Sequence, residues 1–145
     1  MKAYQIDRFG SIGGIARRSA EDPRPGPKEV LMRVRASSLN YRDLMVLKGG
    51  GRGPTKLGVI PLSDGAGAVE AVGEGVTRVN VGDRIAGCFH ARWYGGPIKP
   101  DYLTDRLGAN LDGMLAEYGL TMTTSATRAL SGHLRIGRVT IGDQE

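Results

Sequence analysis

The chain has 145 residues, 40% of them hydrophobic, a glycine count of 23 and a formal net charge of +5. This suits one globular domain, residues 1–145, with a self-sufficient core, and a scatter of cations among acidic neighbours argues only for a weak attraction to anions. A single cysteine, Cys88, excludes an internal disulfide. The run GGGRG at 49–53 has one arginine and no stacking aromatics, which excludes nucleic acid, and no apolar window nears the ~18 residues of a membrane span.

In chain order, Met1 to Asp7 reads as a first strand and Gly14 to Glu21 as its partner across a glycine-rich turn. Pro23, Pro25, Gly26 and Pro27 break regular structure. From Glu29, the residues Val30, Met32, Val34 and Ala36 alternate with Leu31, Arg33, Arg35 and Ser37, the period of a half-buried strand. After Asn40 the spacing of Tyr41, Leu44, Leu47 and Lys48 suits a short helix ended by Gly49 and Gly50. Leu62, Ser63 and Asp64 then lead into GAGAVEAVG, a strand whose glycines permit close backbone approach.

Gly82 and Asp83 signal a turn before a buried strand from Ile85 to Phe89, with Cys88 read as a small core residue. His90 to Asp112 shows no periodicity, and such a long loop in a compact domain is more often functional or mobile. Strand character resumes from Gly113 to Tyr118, followed by a short helix near Thr124 to Leu130 and a final strand from His133 to Ile141, bulged at Gly137. The pattern predicts a mainly β barrel or sandwich of six to eight short strands with one or two short helices. His90 and His133, near strand ends, are expected to be solvated.

The segments MKAYQIDRFG, EVLMRVRASSLNYRD and PLSDGAGAVEAVGEGVTRVNVGDRIAG, in that order and spacing, resemble the N-terminal half of the medium-chain dehydrogenases and reductases. The resemblance covers Met1 to about Leu120 and implies a GroES-like, partly open β-barrel. In zinc-dependent members a cysteine stands at the position of Asn40 and a His-Glu pair at Ser63 and Asp64. Four cysteines of a structural zinc lobe would fall between His90 and Asp112, where this chain has none. The resemblance therefore points to the zinc-lacking quinone oxidoreductase and enoyl reductase branch, with no metal and with NADPH as hydride donor to a carbonyl or quinone.

On that resemblance, Tyr41 donates a proton or hydrogen bond to the carbonyl oxygen, and Asn40 orients the nicotinamide or substrate. Arg42, Asp43, Ser63, Asp64 and Trp93 line the cleft. The residues alone allow blander roles: Tyr41 packed at a helix start with its hydroxyl in water, and Asn40 as a helix cap. They equally allow Asp43 in an ion pair with an arginine, Asp64 bonded to backbone amides, and Trp93 with Tyr94 covering the core.

Nothing in the sequence has the strand-turn-helix context of a dinucleotide fold, although family members carry a Rossmann domain and run to roughly twice this length. The tail RALSGHLRIGRVTI resembles the family's closing helix and strand, so an internal junction near 119–124 is expected to replace the cofactor domain. Tight NADPH binding and turnover by this chain alone are then not expected. The surface once facing that domain would favour a homo-oligomer. Two further readings stand beside this one: a non-catalytic GroES-like scaffold or self-associating module, and a reductase completed by a separate nucleotide-binding chain. The absence of a signal core in MKAYQIDRFG implies a cytoplasmic setting.

Overall fold

The computed structural model describes residues 1–50, 55–93, 95–123 and 126–128. The first hairpin pairs β1 (Lys2–Ile6) with β2 (Ile15–Ser19) antiparallel, from Lys2 opposite Ser19 to Ile6 opposite Ile15. A short 3-10 turn at Ile12–Gly14 joins them. Gly14 packs so tightly that a Cβ there would overlap the Arg8 carbonyl, so only glycine closes this turn.

The second sheet contains β3 (Glu29–Ser38), β4 (Asp64–Val72), β5 (Arg84–Gly87), β6 (Tyr118–Met122) and β7 (Ala126–Arg128) in the order β6-β3-β4-β5-β7. Every pairing is antiparallel. The alternation of β3 appears as expected, with Val30 and Met32 fully buried and Arg33 and Arg35 exposed. A register shift between Leu31 and Met32 interrupts it, and Leu31 is buried as well. Val30, Met32, Val69, Val79, Ile85, Leu107, Met114 and Ala126 form the main core.

Bonds from β1 hold the two sheets together. The amide of Tyr4 donates to Leu115 at 3.0 Å, Glu117 donates to Lys2 at 3.1 Å, and further along the same edge Ile6 donates to Val59 at 3.0 Å. The result is the mainly β, GroES-like and partly open architecture expected, with seven strands and one α-helix among the described residues. No helix among those residues is long and apolar enough to cross a membrane.

The helix α1 (Tyr41–Leu47) ends at Lys48, and Gly49 follows with φ 75°, the left-handed turn that glycine adopts without a Cβ penalty. Its Val46 and Leu47 pack on Ile6, Val59 and Ala109 in a second core cluster. That anchoring fixes the corner between β3 and α1.

Several boundaries differ from the sequence expectation. The strand placed at Gly113 to Tyr118 begins instead at Tyr118, because residues 113–115 donate to Ile60, Leu62 and Pro61 rather than to a strand partner. The segment expected as a helix at Thr124 to Leu130 contains β7 at Ala126–Arg128, since pairing with β5 overrides local preference. Residues 124, 125, 129 and 130 of that segment, and the expected final strand His133 to Ile141, lie outside the described residues.

The stretch from His90 to Asp112 has more structure than its lack of periodicity suggested. It contains a 3-10 turn at Pro100–Thr104, a bridge between His90 and Arg106, and the buried Leu107 and Ala109. β5 stops at Gly87, which leaves Cys88 exposed rather than in the core. The strand expected to run to Phe89 thus ends two residues early.

Candidate functional site

Asn40 occupies the turn out of β3 with extended backbone, φ −124° and ψ 153°. Its amide nitrogen in the main chain donates to Asp43 Oδ2 at 2.8 Å, the reciprocal arm of a capping box, so Asp43 closes the first turn of α1. The side chain does something else: Asn40 Nδ2 donates to Asp64 Oδ2 at 2.7 Å. Asp64 opens β4 directly opposite Ser38, the last residue of β3, which brings its carboxylate to the same corner. Asp64 thus bonds the Asn40 side chain rather than only backbone amides.

Leu62, two residues before Asp64, adopts φ 71°, a costly conformation for a branched side chain. It is held there by Met114, whose amide donates to the Leu62 carbonyl at 2.8 Å, and by Gly108, whose absent Cβ leaves room for the Leu62 backbone. Ser63 between them is buried. The backbone kink is what turns Asp64 toward Asn40 while Ser63 faces inward.

Arg42 and Asp43 follow on α1. Their closest approach is 4.0 Å, from Arg42 Nη1 to Asp43 Oδ1, beyond hydrogen-bond length, with side chains 21% and 10% exposed. Burial pushes the Asp43 carboxyl above its ordinary pKa, against the lowering by the Asn40 amide and the Arg42 charge. Burial likewise lowers the Arg42 pKa, and the Arg106 charge lowers it further, while Asp43 and Asp64 oppose both. The guanidinium carbon of Arg42 lies 4.4 Å from the centre of the Phe89 ring, a cation–π contact.

Beside Arg42 opens a cavity of about 350 Å³ lined by Arg42, Met45, Val46, Phe89, Leu103 and Arg106, among others. Sequence reasoning missed Phe89, His90 and Arg106 in this role. Arg106 is only 6% exposed, and its burial lowers its own pKa. Its place in an aperiodic loop gave no pattern to read; an arginine flanking the apolar run Leu107–Ala109 was the available hint. His90 lines the same cavity and is half-buried, not solvated, because Nδ1 bonds the Tyr102 carbonyl oxygen at 2.9 Å.

The remaining expected residues are more dispersed. Tyr41 is 78% exposed at the start of α1, with its ring outside the cavity. Trp93 is partly exposed, donates from Nε1 to the Gly96 carbonyl at 3.1 Å, and meets His90 edge-on at 6.2 Å. Tyr94 lies outside the described residues. The structure therefore joins Asn40, Asp43 and Asp64 at one corner and Arg42 with Arg106 at the adjoining cavity.

The alcohol dehydrogenase GroES-like domain profile matches residues 26–130. A zinc-type alcohol dehydrogenase-like protein of Schizosaccharomyces pombe is 41% identical over 95 residues, 65% of this chain and 27% of that protein. A synaptic vesicle membrane protein VAT-1 homolog of Rattus norvegicus is 48% identical over 87 residues, 59% of this chain and 22% of that protein. Among solved structures, a thermostable alcohol dehydrogenase from Pyrobaculum aerophilum superposes with a TM-score of 0.75 at 30% identity, covering 91% of this chain and 41% of that one. The chain thus spans about a quarter of the curated relatives it matches, 27% and 22% of their lengths. Matched over most of its length by the profile and by these folds, the chain belongs to the alcohol dehydrogenase GroES-like domain family of the medium-chain dehydrogenases and reductases.

Proposed function

We propose that this chain is the substrate-side domain of a zinc-independent oxidoreductase that reduces a conjugated carbonyl or a quinone with NADPH. The observation that carries this reading is the Asn40–Asp64 bond of 2.7 Å. At the positions where zinc-binding members of the family carry cysteine and histidine, this chain has an amide already committed as a donor and a buried hydroxyl, Ser63. Neither offers the thiolate or imidazole that tetrahedral zinc prefers, so the donor set does not fit the metal.

NADPH, when bound, supplies the hydride. In this reading Tyr41, whose side chain is at the surface, would donate to a carbonyl oxygen arriving from outside the domain, and the Asn40–Asp64 pair would hold the corner beside it. Trp93 and the Arg42 side of the cavity flank the substrate. A nucleotide-binding domain would have to hold the cofactor pyrophosphate, and we place a junction replacing it near 119–124. In a cytoplasmic setting this chain would then turn over little without that domain, supplied in cis or by a separate chain.

Zinc equilibrium dialysis tests the metal part: less than stoichiometric zinc is expected, and one tightly held zinc per chain would overturn it. Calorimetric titration with NADPH, followed by a quinone-dependent oxidation assay, tests the rest. Weak binding and negligible turnover are expected for this chain alone. Restored turnover on adding the nucleotide-binding domain of a family member, lost in Tyr41→Phe, would support the assignment; full activity in Tyr41→Phe would remove Tyr41 from it.

A second reading, a self-associating scaffold, is favoured by the apolar side chains left outside: Leu39 is 81% exposed, and Tyr41, Leu44 and Met45 follow it on the same corner and helix. Sedimentation equilibrium distinguishes the readings. A dimer disrupted by Leu39→Lys supports the scaffold, and a monomer at high concentration refutes it.

A further inference from the structure

The cavity beside α1 presents a hydrogen-bonding problem that the chain does not solve. Both terminal nitrogens of Arg42, Nη1 and Nη2, are buried without a hydrogen-bond partner among the described residues. The guanidinium carbon of Arg42 lies over the Phe89 ring at 4.4 Å, a contact that leaves both terminal nitrogens without an acceptor, while Asp43 stands too far away at 4.0 Å. Buried donors of this kind are ordinarily matched by an acceptor.

The space for such an acceptor exists. Arg42 and Arg106 line the same cavity, about 350 Å³ in volume, within the range of small-molecule sites at roughly 300–1,000 Å³. The two arginines are near enough for the charge of Arg106 to disfavour that of Arg42. Met45, Val46, Phe89, Ile98 and Leu103 supply apolar wall around them. His90 also lines the cavity, with its Nδ1 engaged by the Tyr102 carbonyl.

We infer that this cavity takes a small monocarboxylic acid with an apolar body, its carboxylate bridged to the guanidinium edge of Arg42 and its body set against Phe89 and Leu103. A planar carboxylate matches the two parallel donors of a guanidinium edge. Asp43 and Asp64 both act electrostatically on Arg42, so a second negative charge on the ligand would meet repulsion, which disfavours a phosphate dianion. The Tyr41 ring lies outside this cavity, so the site is proposed in its own right and does not rest on the reductase reading. The binding step itself needs no cofactor.

The test is calorimetric titration of the full chain with trans-cinnamate and with cinnamyl alcohol, its uncharged counterpart, at neutral pH and low salt. Cinnamate is expected to bind about tenfold tighter, the scale of one charge-assisted pair. Arg42→Gln should abolish that preference, and Arg42→Lys should keep part of it as a point charge. Amide shift mapping on the unaltered protein gives an independent readout, with cinnamate shifts expected at Arg42, Phe89 and Leu103. Equal affinity for both probes, an unchanged preference in Arg42→Gln, shifts elsewhere, or no binding at millimolar cinnamate would each overturn the inference. The zinc and hydride-transfer experiments would then still stand on their own.

Discussion

Asn40 Nδ2 donates to Asp64 Oδ2 at 2.7 Å across 24 residues of sequence, tying the corner after β3 to the start of β4. Because the main-chain amide of Asn40 is meanwhile held by Asp43, one residue couples a helix start to a strand start. Asn40→Ala should destabilise the fold by about 1–2 kcal/mol, through a lost bond to a charged, partly buried acceptor. Asn40→Asp should cost more at pH 7 than at pH 4, since it sets a third carboxylate beside Asp43 and Asp64. Urea unfolding at the two pH values checks both.

Asp43 gives a pH dependence of definite sign. Burial raises its folded pKa above 3.8, so the folded state holds this proton more tightly than the unfolded chain. Its contribution to stability is therefore neutral below the ordinary carboxylate pKa and becomes unfavourable as pH rises through the raised folded value. Asp43→Asn keeps an oxygen to accept the Asn40 amide while removing that ionisation. The variant should show a flatter stability profile just above the ordinary Asp range, and a carboxyl NMR titration should place the Asp43 midpoint above 3.8.

Met114 occupies a slot made by glycines of three strands. A Cβ on Gly65, Gly119 or Gly87 would fall 2.6, 2.7 or 3.1 Å from its side chain. Met114→Ala should cost about 2–5 kcal/mol as a buried large-to-small change. Gly119→Ala presses on the Met114 sulfur, which has rotatable bonds to move with, and so should cost less. Combining the two should recover part of the loss, a non-additivity that a double-mutant cycle in urea would measure.

Gly113 differs in kind, because a Cβ there meets backbone: the carbonyl oxygens of Leu62, Pro61 and Ile60. These carbonyls cannot swing aside, since all three accept bonds from residues 113–115. Gly113→Ala should destabilise by more than about 3 kcal/mol or prevent folding. It should also loosen the Leu62 kink and with it the Asn40–Asp64 bond, visible as a shift of the Asn40 side-chain amide resonance in any folded fraction.

The sequence by itself determined what period and local chemistry control. The alternation from Val30 to Ala36 determined a strand, and Gly49 after a helical spacing determined where α1 ends. The ordered motifs were enough to identify the domain family. The identity of Asn40, Tyr41, Asp43 and Asp64 as members of one motif set was legible too, although their contacts were not.

Only the tertiary structure decided which side chains meet. Arg106 and His90 belong to a stretch with no period, and their burial follows from a bridge between them and from a tight turn that brings Leu107 into the core. Tyr41 and Arg42 are adjacent in sequence yet part company, one to solvent and one to the cavity, because α1 is oriented by Val46 and Leu47 packing on Ile6 and Val59. Ala126–Arg128 became a strand through the free edge of β5 rather than through its own residues. The physical reason is common to all three: local pattern fixes backbone period, whereas burial and pairing depend on surfaces supplied by distant segments, which no local pattern encodes.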